Sequence, residues 1–316
     1  MTNAEDCEVK MNNIEKKLLE KIADLHSVPS GAFNLRKNGQ AVERQSTKEI
    51  DIVPKKNKSG IDIIVHPNVK NKSIHIPVII TVGGLNDLVY NDFYIGENCD
   101  VVIVAGCGIH NKTCNTSSHN GIHSFHIGKN SKVKYIERHI GEGEGSGGKI
   151  LNPVTRIYQK ENSVMELETS QLSGVTLSLR KTYAKLEDKA KLIIHENILT
   201  TENQTAKTQF KVDLIGEHSS VEVVSHSVAK DNSYQEFKSD LIGKNECFGH
   251  VECDGILLDK ARIISIPKID AIDNNASLVH EAAIGKIAGD ELIKLMTLGL
   301  TQKEAEDFII QGFLVN

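Results

Sequence analysis

The chain of 316 residues has no Trp, and aromatics make up only 4% of it. A core of this size must then rest on Val, Ile and Leu, which suits a β-solenoid better than an aromatic-rich sandwich. Charge is nearly balanced at −5, so nothing draws the chain to nucleic acid or to an anionic membrane. No run approaches the roughly 18 apolar residues of a membrane span. The polar start, MTNAEDCEVK, lacks the apolar stretch of a signal peptide, so the expected location is cytoplasmic. The six cysteines, Cys7, Cys99, Cys107, Cys114, Cys247 and Cys253, are too dispersed for a disulfide framework. In a reducing compartment most act as small buried hydrophobes, and one or two are candidate ligands or sulfur carriers.

Residues 12–26 place Ile14, Leu18, Leu19, Ile22 and Leu25 at helical spacing, and Ser27-Val28-Pro29-Ser30-Gly31 ends that helix. Ile50 to Val53 and Ile61 to Val65 read as strands joined by a turn at residues 55–60. From Tyr94 onward a repeat begins, with copies starting at Tyr94, His126, Ile157, Lys185, Leu214 and Leu241, spaced 27 to 32 residues apart. Each is read as a turn position (Gly96, Gly128, Gln159, Glu187, Gly216, Gly243) followed five residues later by a buried one (Val101, Val133, Val164, Leu192, Val221, Phe248). No helical period separates the copies, so a βαβ array is excluded. A parallel β-helix of about one coil per copy is expected, with a long β-sandwich as the other reading. The tail is helical. Leu292, Leu295, Met296 and Leu298 make one apolar helix, capped near Gly299. Thr301 and Glu304 form a capping-box pattern ahead of Ala305, Phe308, Ile309 and Phe313. Two such short helices must cover the solenoid's end or receive a partner.

Ten residues beyond the turn positions stand Gly106, Arg138, Thr169, Asn197, His226 and Cys253. This register predicts that His226 and Cys253 are neighbours on one face, with His195 close by, provided no bulge intervenes. A nearby imidazole favours the reactive thiolate. Further on come His280 and Glu281, 27 residues after Cys253. On a regular strand these two point to opposite faces, so sharing one site requires an irregular turn. Cys107, His110 and Cys114, followed by His119, His123 and His126, have the spacing of a compact metal loop, C-x2-H-x3-C. A metal or cluster site, a sulfur-accepting thiol and a polar network that orders the loop are the competing readings. The run at residues 141–149 ends in Lys149-Ile150, which fails the phosphate-loop pattern, and a flexible loop is expected.

The stretch GHVECDG around Cys253, then His280-Glu281, then GDELIKLMTLGL and TQKEAEDFIIQGF, resembles the C-terminal end of the SufB/SufD family, scaffolds of iron–sulfur cluster assembly. The likeness covers about residues 30–316, and the His-Glu pair makes it a short SufB-like type. The resemblance implies a right-handed parallel β-helix at residues 46–275, after an N-terminal segment at residues 1–45. A C-terminal helical segment at residues 276–316 would bind a SufC-like ABC ATPase. It implies a non-enzymatic scaffold that builds a transient iron–sulfur cluster, 4Fe–4S with 2Fe–2S not excluded, from sulfur and iron and delivers it to apo-client proteins. The cluster would form at a dimer interface, homomeric or with another SufB/SufD-type chain. Cys253, His280 and Glu281 are the implied cluster-site residues, with His226 and Cys107 as further candidates. Cys107, His110 and Cys114 remain as metal-binding candidates, and Cys107 is the best match to the sulfur-entry cysteine of longer relatives. A SufD-like structural subunit and a β-helix carbohydrate-active enzyme are the rival readings. The second is disfavoured by the absence of an Asp stack at a common coil position.

Overall fold

The structure, a computed structural model, describes residues 11–26, 29 and 31–315. Cys7 and the helix-ending Ser27, Val28 and Ser30 lie outside the described residues. The chain is a mainly β protein, a solenoid of about eight turns with three described helices. From Lys70 onward the strands alternate between two ten-stranded sheets, except that Lys149–Leu151 and Val154–Gln159 follow one another in the same sheet. The first sheet runs Gln40–Gln45, Ala32–Lys37, Lys70–Ile80, Asp100–His110, Lys132–Glu142, Val164–Ser173, Lys191–Thr200, Ser219–Ala229, Cys247–Leu257, Ser277–Gly285. The second runs Ile50–Pro54, Gly60–Val65, Asn86–Ile95, Ser117–Ile127, then Lys149–Leu151 with Val154–Gln159, and on through Leu177–Leu186, Thr205–Leu214, Tyr234–Gly243 and Arg262–Ala271. All pairings are parallel except two hairpins at the N-terminal end, Ala32–Lys37 with Gln40–Gln45 and Ile50–Pro54 with Gly60–Val65. The alternative sandwich reading is thereby set aside.

Side chains alternate in and out along each strand. The inward rows pack Ile63, Phe93, Phe125, Tyr135, Leu167, Ile194, Val223 and Val251 into one apolar core. Phe93 stacks on Phe125 with centroids 4.2 Å apart. The turns repeat as well. Asn98, Asn130 and Asn162 sit at positive φ, and each amide donates to the one before: 3.3 Å to Asn68, 3.2 Å to Asn98 and 2.8 Å to Asn130. Asn tolerates this left-handed conformation, so the ladder rather than glycine marks the turn in these coils.

That distinction corrects the predicted register. Strand pairing aligns Gly106 with Arg138, Arg138 with Ser170, Ser170 with Asn197, Asn197 with His226, and His226 with Asp254. Thr169 and Cys253 are each one residue out, as are Val164 and Phe248, whose places are taken by Met165 and Gly249. The cause is local. Gln159 and Gly243 are the buried last residues of their strands, not turn residues. The Gln159 amide caps the turn by donating to the carbonyls of Ser163 (3.2 Å) and Lys191 (3.0 Å). Gly243 is small because a Cβ there would meet Cys247 Sγ at 2.9 Å and Ala276 Cβ at 2.8 Å.

Helix α1 (Asn13–Ala23) begins at a capping box formed by Asn12 and Glu15 and buries Leu18, Leu19 and Ile22 against the outer face of the first sheet. Gly106 and Gly108 make the room, since a Cβ on Gly106 would meet the Ile22 carbonyl at 2.8 Å. Helix α2 (Gly289–Thr297) buries none of its residues, and Gly299 follows at φ +100. Helix α3 (Gln302–Val315) starts at the expected capping box, with Thr301 N donating to Glu304 at 2.8 Å. It lies on the outside of the first sheet rather than over the solenoid's end. Ile310 and Leu314 pack on Val228, while Phe308 faces away from the sheet and is exposed. No described helix is long and apolar enough to cross a membrane.

Candidate functional site

Because Cys253 pairs with Ser225 and Ala282, it points into the solenoid and is fully buried. His226 sits on the outer face, its ring 4.8 Å from that of Phe313 on α3. His195 is also outward, paired with Glu168 and Val224. The expected His226–Cys253 contact is therefore absent, and a single residue of register is the reason. No thiolate is favoured here either: burial pushes the Cys253 thiol up to about 11, against a hydrogen bond from Ser265.

The imidazole linked to Cys253, through Ser265, is His280. It pairs with Val251, an inward residue, so its ring turns toward the lumen at the last coil. Ser265, on the facing sheet, links the two: it touches Cys253 and lies 3.4 Å from His280 Nε2. His280 Nδ1 is buried without a hydrogen-bond partner. Burial, and then the neighbouring His250, lower its pKa and keep the ring neutral. Glu281 is on the opposite face of the same regular strand, 3.9 Å from His250. The irregular turn needed to bring His280 and Glu281 together does not occur.

Cys107, His110 and Cys114 are likewise separated. Cys107 is inward and buried, His110 points outward near Glu142 (4.0 Å), and Cys114 is exposed on the connecting loop. Asn111 orders that loop, donating to the Asn115 carbonyl at 2.7 Å and accepting from Thr113 N at 2.9 Å. The glycine run is not free either: Gly145 N and Gly147 N bond to the carbonyls of Asn111 (3.1 Å) and Thr113 (2.9 Å). Its glycines let the two loops lie backbone to backbone, because a Cβ on Gly143 would stand 2.4 Å from the Asn111 carbonyl oxygen. His126 is outward, stacked between Tyr94 and Tyr158 at 5.1 Å from each. Among the described residues, no three His, Cys, Asp or Glu side chains surround one point as metal ligands.

Sequence reasoning missed the polar column inside the solenoid. Glu137, Thr169, Glu196, Ser225 and Cys253 follow one another across paired strands, all inward. Tyr135 donates to Glu137 at 3.0 Å, and Arg180 binds Glu137 and lies 3.6 Å from Glu196. Thr208 and Ser225 donate to Glu196 at 3.0 and 3.2 Å. Burial alone would raise the Glu137 pKa, but Arg180 holds it far below the usual range. The column runs from the neighbourhood of Cys107 to Cys253. Its signal was available as inward-phase charged residues in otherwise apolar strands, once the register was right.

Residues 91–313 match the model of the SUF system FeS cluster assembly, SufBD core domain. A curated iron-sulfur cluster assembly SufBD family protein of Archaeoglobus fulgidus is 30% identical over 72% of this chain and 60% of its own length. One from Pyrococcus horikoshii is 26% identical over 93% of this chain and 84% of its own. One from Methanocaldococcus jannaschii is 28% identical over 80% and 79%. The chain spans only 53% to 60% of the relatives from A. fulgidus and Methanothermobacter thermautotrophicus. With the family model covering well over half of it, the chain belongs to the SufBD family of iron–sulfur cluster assembly proteins.

Proposed function

We propose that this chain is a scaffold subunit on which an iron–sulfur cluster is built at the open end of the solenoid, held by Cys253 and His280. The observation that carries this reading is the junction of the Cys253 thiol, Ser265 and His280, where a buried imidazole nitrogen has no partner. Thiolate and neutral imidazole are a fitting mixed donor set for iron, and mixed ligation releases a cluster more readily than four thiolates. Because free Cys253 is a thiol, iron must displace its proton on binding.

The last strands, Arg262–Ala271 and Ser277–Gly285, each pair on one side only among the described residues. Such edges support pairing with a second SufB/SufD-type chain, like or unlike, across which the site would be completed. Glu281, on the outer face of that edge strand, is a candidate ligand in such an assembly. Cys107, inward on the same lumen, is the candidate sulfur-accepting thiol of this reading. The chain has no nucleotide motif, and α2 with α3 exposes Ile293, Met296, Leu298 and Phe308. That apolar surface supports docking of a SufC-like ATPase. On this reading the cargo is a 4Fe–4S cluster handed to apo-clients in the cytoplasm, and the chain itself catalyses no reaction.

The test is anaerobic reconstitution of wild type and Cys253→Ser with iron and sulfide, read by optical and Mössbauer spectra. The variant is expected to lose most of the chromophore. Full retention would remove Cys253 from the site.

A further inference from the structure

The lumen contains a small cavity of about 10 Å³, lined among others by Cys107, His119, Gly121, His123, Glu137 and His139. That is room for about one water-sized body, so a single ion fits and an organic ligand does not. His119 and His123 are inward on the strand Ser117–Ile127, with Gly121 between them, and are only 5% and 6% exposed. A Cβ on Gly121 would stand 3.0 Å from His123 Nε2 and 3.3 Å from His119 Nε2. Both nitrogens therefore border the space that this glycine leaves open.

Their tautomers are set from behind. His119 Nδ1 lies 3.0 Å from Asp87, to which it donates a hydrogen bond, leaving Nε2 toward the cavity. His123 Nδ1 donates to Tyr135 Oη at 2.7 Å, and that hydroxyl donates onward to Glu137. The Asn91 amide faces His123 Nε2 at 3.5 Å, as befits an unprotonated nitrogen. A carboxylate or phenol behind each imidazole is the second-shell arrangement that orients histidines toward metals. His139 is not a third ligand: its Nδ1 accepts from Arg180 at 3.2 Å. Nor are the carboxylates free, since Arg36 holds Asp87 at 2.9 Å and Arg180 holds Glu137. The available donors are thus two imidazoles and one thiol, a set for a borderline transition metal and not for calcium or magnesium.

We propose that this cavity is a second metal site, binding one divalent transition-metal ion through His119 Nε2, His123 Nε2 and the Cys107 thiolate. It lies apart from the Cys253–His280 junction and does not require a cluster there, but it uses the same Cys107 thiol as the proposed sulfur entry, so metal and sulfur would compete for it. Among the described residues no three ligands are already gathered, so the proposed site requires the Cys107 sulfur to move toward the two imidazoles. The thiol proton leaves to solvent as the metal–sulfur bond forms, and no electron is exchanged.

The experiment is anaerobic titration of the full chain, as Cys253→Ser, with cobalt(II), which silences the first site. About one equivalent is expected to bind, with a near-ultraviolet thiolate-to-cobalt charge-transfer band. Gly121→Ala keeps every ligand but fills the space, and should weaken binding at least about tenfold. Tyr135→Phe, which removes the acceptor behind His123, should weaken it by about tenfold. Cys107→Ser should abolish the charge-transfer band, and it decides the matter if Gly121→Ala does not fold. Absence of cobalt binding, or a band unchanged in Cys107→Ser, would overturn the proposal.

Discussion

The two ends of the solenoid are built to opposite specifications. At the N-terminal end, hairpins finish both sheets, α1 covers the first sheet's outer face and the buried Arg36 pairs with Asp87, and in the middle coils Arg180 pairs with Glu137. At the other end both sheets stop at strands with an open edge among the described residues. There Ile269, an inner-face residue paired with fully buried Leu241, is 42% exposed. A solenoid coil buries its inner face only against a neighbour, so the unstacked last coil leaves part of that face exposed. The difference lies in how the ends are finished: the N-terminal end is capped by hairpins and a helix, and the last coil leaves both sheet edges and part of its inner face uncovered among the described residues.

The largest effect should come from breaking the closed network. Arg180→Met leaves Glu137 and Glu196 buried without their cation, and should cost about 3–5 kcal/mol in urea unfolding. Ser265→Ala at the open end should cost about 1 kcal/mol or less by the same measurement. Similar losses at both sites would erase the contrast.

Acid sharpens the same comparison. Burial drives His139 down to about 3, against the upward pull of Glu137, and Glu137 itself is held low by Arg180. Both folded pKa values lie below their unfolded ones. Their stabilisation is thus complete above about pH 6.5 and lost as pH falls, first through His139 and then, below about pH 4.5, through Glu137. The urea midpoint should decline from about pH 6.5 downward, and a level midpoint to about pH 4 would contradict the paired interior.

A pair of glycines gives a smaller, cleaner contrast. A Cβ on Gly106 meets the backbone oxygens of Arg138 and Ile22 at 2.7 and 2.8 Å, so Gly106→Ala should cost about 1–3 kcal/mol. Gly285 has nothing within 4 Å, and Gly285→Ala should stay within about 0.5 kcal/mol. Smallest in stability is Val279→Lys on the outer face of the open edge strand. It should leave the monomer's unfolding within about 0.5 kcal/mol while lowering self-association in light scattering.

Much of this was legible in the sequence. Spaced turns and β-branched runs gave the coils, and Thr301 with Glu304 marked α3. What failed was phase. Gln159 and Gly243 look like turn residues but close strands, and one residue of slip separates Cys253, which is in the core, from the face of His226. The burial of Ile310 rather than Phe308 was hidden for a related reason: α3 chose its face by fitting Val228, which no helical period reveals. His280 beside Ser265 depends on two strands from different sheets meeting at the last coil, a contact that spacing alone does not encode.

The most direct test of the cluster site is pulsed electron paramagnetic resonance on the reduced, reconstituted protein with ¹⁵N-labelled histidine. Hyperfine coupling to one imidazole nitrogen is predicted in the wild type, gone in His280→Ala and kept in His226→Ala. A cluster signal without nitrogen coupling, or one unchanged in His280→Ala, would contradict the account.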